Sequence, residues 1–493
     1  MRLRYIVPVL LGPLVTSCAV GPQYRPPQPQ MPRSWHEVAV TPGTFDRSTL
    51  ERWWTAFHDP QLDDLVVRAI DGNLDLKIAA ARVREARAAR GIAASAALPQ
   101  VDVNGQSVRA SPFGPRTQNV FEAGFDAGWE LDVFGGVRRD VEAAVAQVQA
   151  AEEGRRDVLV TLLADVARNY AELRGTQRQI EILDATVRSQ RDTLDLAKAR
   201  FDAGLGTALD VERAEGLLEA TRSRGPELQR LAKRAIYRLD VLLGHDSGML
   251  ASVLEIPKAL PPQPPELPDV LPSELLSRRP DLRRAERDVA AATARIGVAR
   301  SELFPRFSIA GNFGRRSQEA SDLGSTGSQF WFLVAGVRLP LLSGGRIRAN
   351  IQLQDARQEA ALRQYEKAVL IAVEEVENAL SSQIREQRRL ESLRAAVAAN
   401  RRALDLATER YTGGLENFLS VLDAQRAVYA SEDGLAQSET NAMVSLIAVY
   451  KALGGGWAFD GTTLTPPGGE STRRHCHGCH TRVTRGVSLT PRA

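Results

Sequence analysis

The chain has 493 residues, of which 43% are hydrophobic and 25% charged, with a formal net charge of +3. That length allows roughly two to four ordinary domains, and so balanced a charge gives no support for nucleic-acid binding. The three cysteines, Cys18, Cys476 and Cys479, sit at the two ends and leave the body without a disulfide framework.

The N-terminus reads as a secretory signal, with Arg2 and Arg4 before the apolar run Ile6 to Val15. It closes on Val15-Thr16-Ser17-Cys18, a lipobox-like end that makes residues 1–17 a signal peptide and Cys18 a lipidated first residue. An ordinary secreted cysteine after a plain signal is the alternative. Ala19 follows where an Asp would retain such a lipoprotein at the inner membrane, so export to the outer membrane is expected. Residues 18–59 read as a lipid-anchored, extended segment. Beyond the signal no run of about 18 apolar residues exists, so a membrane crossing would need a closed β-barrel.

The remainder is two tandem halves, 60–256 and 273–457, offset by about 206–210 residues and separated by a Pro-rich linker at 257–272. Leu74-Asp75-Leu76 corresponds to Pro280-Asp281-Leu282, and Phe134-Gly135-Gly136 to Ser343-Gly344-Gly345. Leu194-Asp195-Leu196-Ala197 likewise corresponds to Leu404-Asp405-Leu406-Ala407. Each half opens with an Ala/Arg-rich helix, about 60–97 and about 281–303, stopped by Pro99 or Pro305.

Two strands then follow in each half, about 100–110 and 119–134, then about 305–315 and 328–342. In the second of these, Phe121, Ala123, Phe125, Ala127, Trp129, Leu131 and Val133 alternate with Glu122, Gly124, Asp126, Gly128, Glu130 and Asp132. Period-two alternation puts one set on each face, which suits lipid outside and water inside; a half-buried antiparallel sheet is the alternative. Four strands cannot close a barrel when the smallest outer-membrane barrels use about eight, so several chains must contribute.

Long helical hairpins complete each half, about 137–245 and 345–453. No proline interrupts Val137 to Phe201 or Gly344 to Tyr411, and about 68 residues at 1.5 Å each span roughly 100 Å. Apolar residues recur every seven positions at Leu159, Val166, Leu173, Ile180, Val187, Leu194 and Phe201. The stripe returns 210 positions later from Val369 to Tyr411, broken only by Gln383. A seven-residue repeat keeps its seam on a partner helix through coiling.

Several of these residues resemble a known family. Trp53-Trp54, Asp59-Pro60, Asn73-Leu74-Asp75-Leu76, Arg278-Arg279-Pro280-Asp281-Leu282 and Val421-Leu422-Asp423-Ala424-Gln425 are similar to the outer-membrane factor lipoproteins of the TolC/OprM type, NodT-like branch. The resemblance covers about residues 15–457. It implies a mainly helical fold with membrane β-structure: a homotrimer whose chains give four strands each to a 12-stranded β-barrel, continuous with a periplasmic α-helical barrel. It implies a passive outer-membrane exit duct, not an enzyme, served by a periplasmic adaptor and an inner-membrane pump, with no cofactor.

The resemblance also places the adaptor-contacting tips at Gly204-Leu205 and Gly414-Leu415, with a periplasmic gate beside the second tip. Asp423 matches one gate Asp, whereas Ser420 stands where the TolC type has another. Glu416 replaces a bonding Arg, while Asp210 keeps the acidic partner position, so an Arg–Asp latch between those two is not expected. Tyr411 closes the same region. Reading an adaptor lipoprotein instead would require one hairpin and no paired amphipathic strands.

Residues 458–493 extend past the family's usual end and are expected to lack fixed structure. They hold Cys476-His477-Gly478-Cys479-His480, which fits the haem-attachment pattern, though no apolar flank would cover a haem. Cys476, Cys479 and His480 have the spacing of weak metal ligands; a disulfide or a plain extension is the default reading. Three of the six histidines lie there, and the body carries no nucleophile elbow or phosphate loop.

Overall fold

The computed structural model of the chain describes residues 19–37, 50–111, 117–262 and 272–457. The first expected helix is two helices, α1 (Pro60–Gly72) and α2 (Leu74–Ser95). Asp59 caps α1, accepting from the Gln61 N–H at 2.9 Å ahead of a proline well placed at the first turn. Asn73 makes the break that the composition did not signal. Its side-chain oxygen accepts from the Leu76 N–H at 2.9 Å, and its amide donates to the Leu242 carbonyl at 2.9 Å.

Then come β1 (Gln100–Ala110), β2 (Gln118–Leu131), α3 (Gly136–Asp202), α4 (Ala208–Arg222) and α5 (Gly225–Leu242). The second half gives α6 (Pro280–Ser301), β3 (Arg306–Ser317), β4 (Gln329–Arg338), α7 (Arg346–Thr412) and α8 (Phe418–Ala452). α3 and α7 are each 67 residues long. At 1.5 Å per residue both span roughly 100 Å. The returning arms differ. α8 runs unbroken for 35 residues, but the first half's return is interrupted after Arg222. Pro226 cannot donate to the Arg222 carbonyl and its ring crowds that group, whereas Ala436 stands 210 positions on.

Two strands end earlier than the alternation suggested. β2 stops at Leu131 because Asp132 turns to cap α3, accepting from the N–H groups of Val137 and Arg138 at 3.0 Å each. Val133, expected in the strand, bonds back to the Leu131 carbonyl at 2.8 Å instead. β4 stops at Arg338, ahead of Pro340, which has no N–H for a ladder.

The four strands form one antiparallel sheet in chain order, and the β2–β3 pairing joins the two halves. At that seam Gly124 faces Gly314. A Cβ at Gly314 would stand 2.5 Å from the Ala123 carbonyl oxygen and 2.8 Å from the Gly124 Cα. Below the sheet the helices pack in the same order, α2 on α3, α3 on α6, α6 on α7, so each strand continues a helix of the same rank. A core at mid-height fastens the termini of the repeats to the long helices: Trp53 stacks on Tyr450 with centroids 5.2 Å apart, and Phe57, Leu62, Tyr170 and Leu446 are buried around it.

The second seven-residue stripe is buried at Val369, Val376, Gln383, Leu390, Val397 and Tyr411. The first is buried at Val166, Leu173 and Leu194 but not at its end, where Phe201 is 46% exposed. Tyr411 packs on Phe418, ring centroids 5.1 Å apart; Phe201 has Ala208 at the corresponding place and no ring to meet. Among the described residues no helix is long and apolar enough to cross a membrane.

Two outcomes follow from this packing. Gly314→Val should block close approach of β2 and β3 and abolish the folded sheet, read as loss of the β-sheet signal in circular dichroism; Gly336→Ala, whose Cβ meets only the Ser308 hydroxyl at 3.0 Å, should be tolerated. Burial, then the Asp281 carboxylate, push the Asp157 carboxyl on α3 above its ordinary range against the pull of Arg284, Arg279 and Lys451. The folded chain therefore holds that proton more tightly than the unfolded chain, and the group costs stability as pH rises through its folded-state pKa. Asp157→Asn should melt above the parent at pH 8, the gap closing as pH falls below the ordinary carboxylate range.

Candidate functional site

Two places carry chemistry that a helical rod does not need: the sheet and the hairpin tips. Directly paired residues in an antiparallel sheet share a face, so the register sorts the sheet's side chains. One face carries Val101, Val103, Phe125, Trp129, Phe313, Trp331 and Leu333, exposed within the chain by 38–77%. The other carries a polar ladder. Asp126 accepts from both the Asn104 and the Asn312 amides, tying β1, β2 and β3 together. Glu122 accepts from Gln106 at 3.0 Å and from Arg316 Nη2 at 3.0 Å, and is 6% exposed. A buried carboxylate held by an amide and a guanidinium keeps its charge satisfied. Among the described residues, the outer edges of β1 and β4 have no strand beside them.

The tips are near copies of each other. Gly204 (φ 72°) and Gly414 (φ 69°) occupy the left-handed region at the ends of α3 and α7. The next N–H reaches back five residues in each case, Leu205 to the Arg200 carbonyl at 2.8 Å and Leu415 to the Arg410 carbonyl at 2.9 Å. This closure turns Leu205 and Leu415 outward, 69% and 72% exposed. Behind the tips Leu194, Ala197, Ala214 and Leu218 of the first hairpin pack with Tyr411, Phe418, Val421 and Leu422 of the second.

The expected gate residues are placed as follows. Tyr411 is 6% exposed, against Phe418 and beneath the Arg200 guanidinium at 4.7 Å. Burial raises its phenol, with Arg200 opposing and Asp210 adding to the rise. Asp210 closes a capping box on α4, accepting from the Thr207 N–H at 3.2 Å and its hydroxyl at 2.8 Å. Glu416 accepts from the Ser420 hydroxyl at 3.0 Å and meets Arg410 Nε at 3.6 Å. The Ser420 hydroxyl, then the Asn417 N–H, hold the Glu416 carboxyl below its ordinary range. Asp210 and Glu416 are thus each satisfied within their own turn. Asp423 is exposed and pairs with Arg426 at 3.0 Å, one turn along α8.

Sequence reasoning missed a clamp on the N-terminal segment. The Val20 N–H bonds the Phe134 carbonyl at 3.1 Å, and Arg139, 5% exposed, donates to the Val20 carbonyl at 3.2 Å and the Gly21 carbonyl at 3.4 Å. Gly21 (φ 105°) lies against Gly297, where a Cβ would fall 2.5 Å from the Gly297 Cα. Gly297, which stands 206 positions after Gly91 in the duplicated sequence, was the available signal. From there the segment descends along α6, Tyr24 donating to Glu286 at 2.6 Å, and reaches α7, where the His36 N–H bonds Glu377 at 2.9 Å. Cys18, and Cys476, Cys479 and His480, lie outside the described residues; among those described, no group of three His, Cys, Asp or Glu could hold a metal ion.

The family model described as "Outer membrane efflux protein" matches residues 65–245 and 271–455. Nodulation protein T of Rhizobium leguminosarum bv. trifolii is 33% identical over 464 residues, covering 92% of this chain and 97% of its own. Outer membrane protein OprJ of Pseudomonas aeruginosa is 32% identical over 94% of this chain and 98% of its own. The solved outer-membrane channel OprN superposes with a TM-score of 0.84 at 38% identity, covering 89% of this chain and 100% of that one.

Tyr411→Ala should loosen the second tip, since it removes a buried ring that packs on Phe418 and carries Arg200. We expect trypsin to cut there about tenfold faster, the effect of losing roughly 1–1.5 kcal/mol of ring contacts. Phe201→Ala, which removes an exposed ring, should leave the cutting rate unchanged.

Proposed function

We propose that this chain, which belongs to the outer membrane efflux protein family, is the outer-membrane exit duct of a tripartite export system. Three copies close one 12-stranded barrel, with Val103, Phe125, Trp331 and their face toward lipid and the Asn104–Asp126–Asn312 ladder toward water. The long hairpins α3–α5 and α7–α8 then form one helical tube into the periplasm. The observation that carries this reading is the sheet: an apolar face across all four strands, a polar ladder across β1, β2 and β3, and outer edges with no strand beside them among the described residues. Cargo passes without chemical change, so no nucleophile or general base is required.

The exposed Leu205 and Leu415 are the seats for a periplasmic adaptor, which links the duct to an inner-membrane pump. The gate lies just above them, with Asp423–Arg426 pairs repeated three times around the axis behind the Tyr411–Phe418 cluster. Cys18 is the lipidated first residue, and the Arg139 clamp on Val20 and Gly21 holds that anchor at the base of the barrel, beside Phe134. Removal of residues 1–17 and acylation of Cys18 would be read directly by mass spectrometry of the N-terminal peptide.

Purified protein in a planar bilayer should give discrete current steps, and its mass in detergent should equal three chains. A monomer that leaves the bilayer silent would overturn the duct. Asp423→Ala should raise the open fraction and weaken block by divalent cations; unchanged currents in both conditions would remove Asp423 from the gate. Leu205→Asp combined with Leu415→Asp should keep the trimer and its conductance but abolish export in cells.

A further inference from the structure

The polar face of the sheet is not polar throughout. On β1 it carries Gln100, Asp102, Asn104 and Gln106 in succession, and on β2 Glu122, Asp126 and Glu130 between glycines. On β4 the same face carries Phe330, Phe332 and Val334, paired in turn with Gly314, Asn312 and Ala310. The Arg316 guanidinium lies over the Phe330 ring at 4.4 Å, which fixes Phe330 on the Glu122 side of the sheet. β4 is therefore apolar on both faces, Trp331 and Leu333 pointing one way and Phe332 and Val334 the other. Phe332 is 45% and Val334 50% exposed, so neither is packed within the chain.

An apolar strip on the water side breaks the alternation on which a membrane strand depends, and a departure of this kind points to function more than to folding. The neighbouring strands in a barrel wall stand beside one another, not over one another, so closure of the barrel does not cover this strip. Its electrostatic setting is mainly acidic, since the Arg316 guanidinium over Phe330 is paired with the buried Glu122. The row that contains Phe332 runs through Asn312 and Asp126 to Asp102, with two carboxylates and no cation. The rows of Phe330 and Val334 add Gly314, Gly124, Asn104, Ala310, Gly128 and Gln100, again without a cation.

We propose that Phe332 and Val334, with Asp126 and Asp102, form a weak transit site for hydrophobic cations on the inner wall of the barrel. This rests on the duct reading above. Aromatic or alkyl surface of the solute lies on Phe332 and Val334, and its charge faces the carboxylates, an arrangement that attracts a cation and repels an anion of the same shape. The site holds cargo without forming a bond to it, and three copies line the outlet at one level.

The test is channel block in planar bilayers. Tetraphenylphosphonium, added to the side of the loops, should reduce the current at concentrations where tetramethylammonium does nothing, and tetraphenylborate should not block. Phe332→Asn with Val334→Ser should weaken tetraphenylphosphonium block about fivefold, the effect of losing one exposed aromatic contact, while the current in potassium chloride stays the same. Asp102→Asn, at an exposed carboxylate, should weaken it in the same direction, and Phe332→Tyr should retain it. Block unchanged in the Phe332→Asn, Val334→Ser protein, or equal block by tetraphenylborate, would overturn the site while leaving the duct intact. A parent protein that never conducts would instead count against the duct, and this inference falls with it.

Discussion

The constraint that orders this molecule is the open edge. A four-stranded sheet leaves one row of unpaired N–H and C=O groups on β1 and another on β4, and in hydrocarbon each such group costs several kcal/mol. Water could satisfy them, but the face beside them is lined with Val103, Phe125, Trp331 and Leu333, which belong in lipid. The sheet is thus stable in a membrane only when its edges are closed by further copies of itself. Assembly with further copies is in this sense a consequence of the unpaired edges, and not an addition to a finished fold.

The helices extend the same logic downward. Because α2, α3, α6 and α7 pack in the order of the strands they continue, closing the sheet into a ring closes the helices as well. Duplication makes the ring regular: two 67-residue helices, each launched by a left-handed glycine, Gly135 or Gly345, and each ended by another, Gly204 or Gly414. The asymmetries are then informative. Pro226 interrupts the first return where Ala436 leaves the second continuous, and Tyr411 packs on Phe418 where the first half has Ala208 at the position of Phe418. The second hairpin is the better-packed arm near the tip, and the residues matched to the gate sit mainly on it.

Much of this was legible in the sequence, and for identifiable reasons. Period-two and period-seven patterns report which face of an element is apolar, and the repeat offset reports the duplication, so strands, rods and glycine turns could be read directly. What could not be read were contacts between residues far apart. Nothing local marks Asn73 as the partner of the Leu242 carbonyl, Arg139 as the clamp on Val20 and Gly21, or Asp126 as the acceptor for both Asn104 and Asn312. The ends of β2 were misread because Val133 continues the alternation while Asp132 is already committed to capping α3. Asp423 was placed on the right helix, but its pairing with Arg426 is a three-residue spacing that many solvated helices share.

The central claim is that β1 of one chain pairs with β4 of the next. Within a chain these strands are separated by β2 and β3, about 14 Å at the usual strand spacing, which a disulfide cannot bridge. With Cys476 and Cys479 changed to serine, Val103→Cys should be combined in turn with Trp331→Cys, Leu333→Cys and Ala335→Cys, all on the lipid face, and the protein oxidised in membranes. At least one pair should give a covalent ladder on a denaturing gel that ends at three chains. Monomers throughout, or a ladder that continues beyond three, would contradict a closed trimeric barrel.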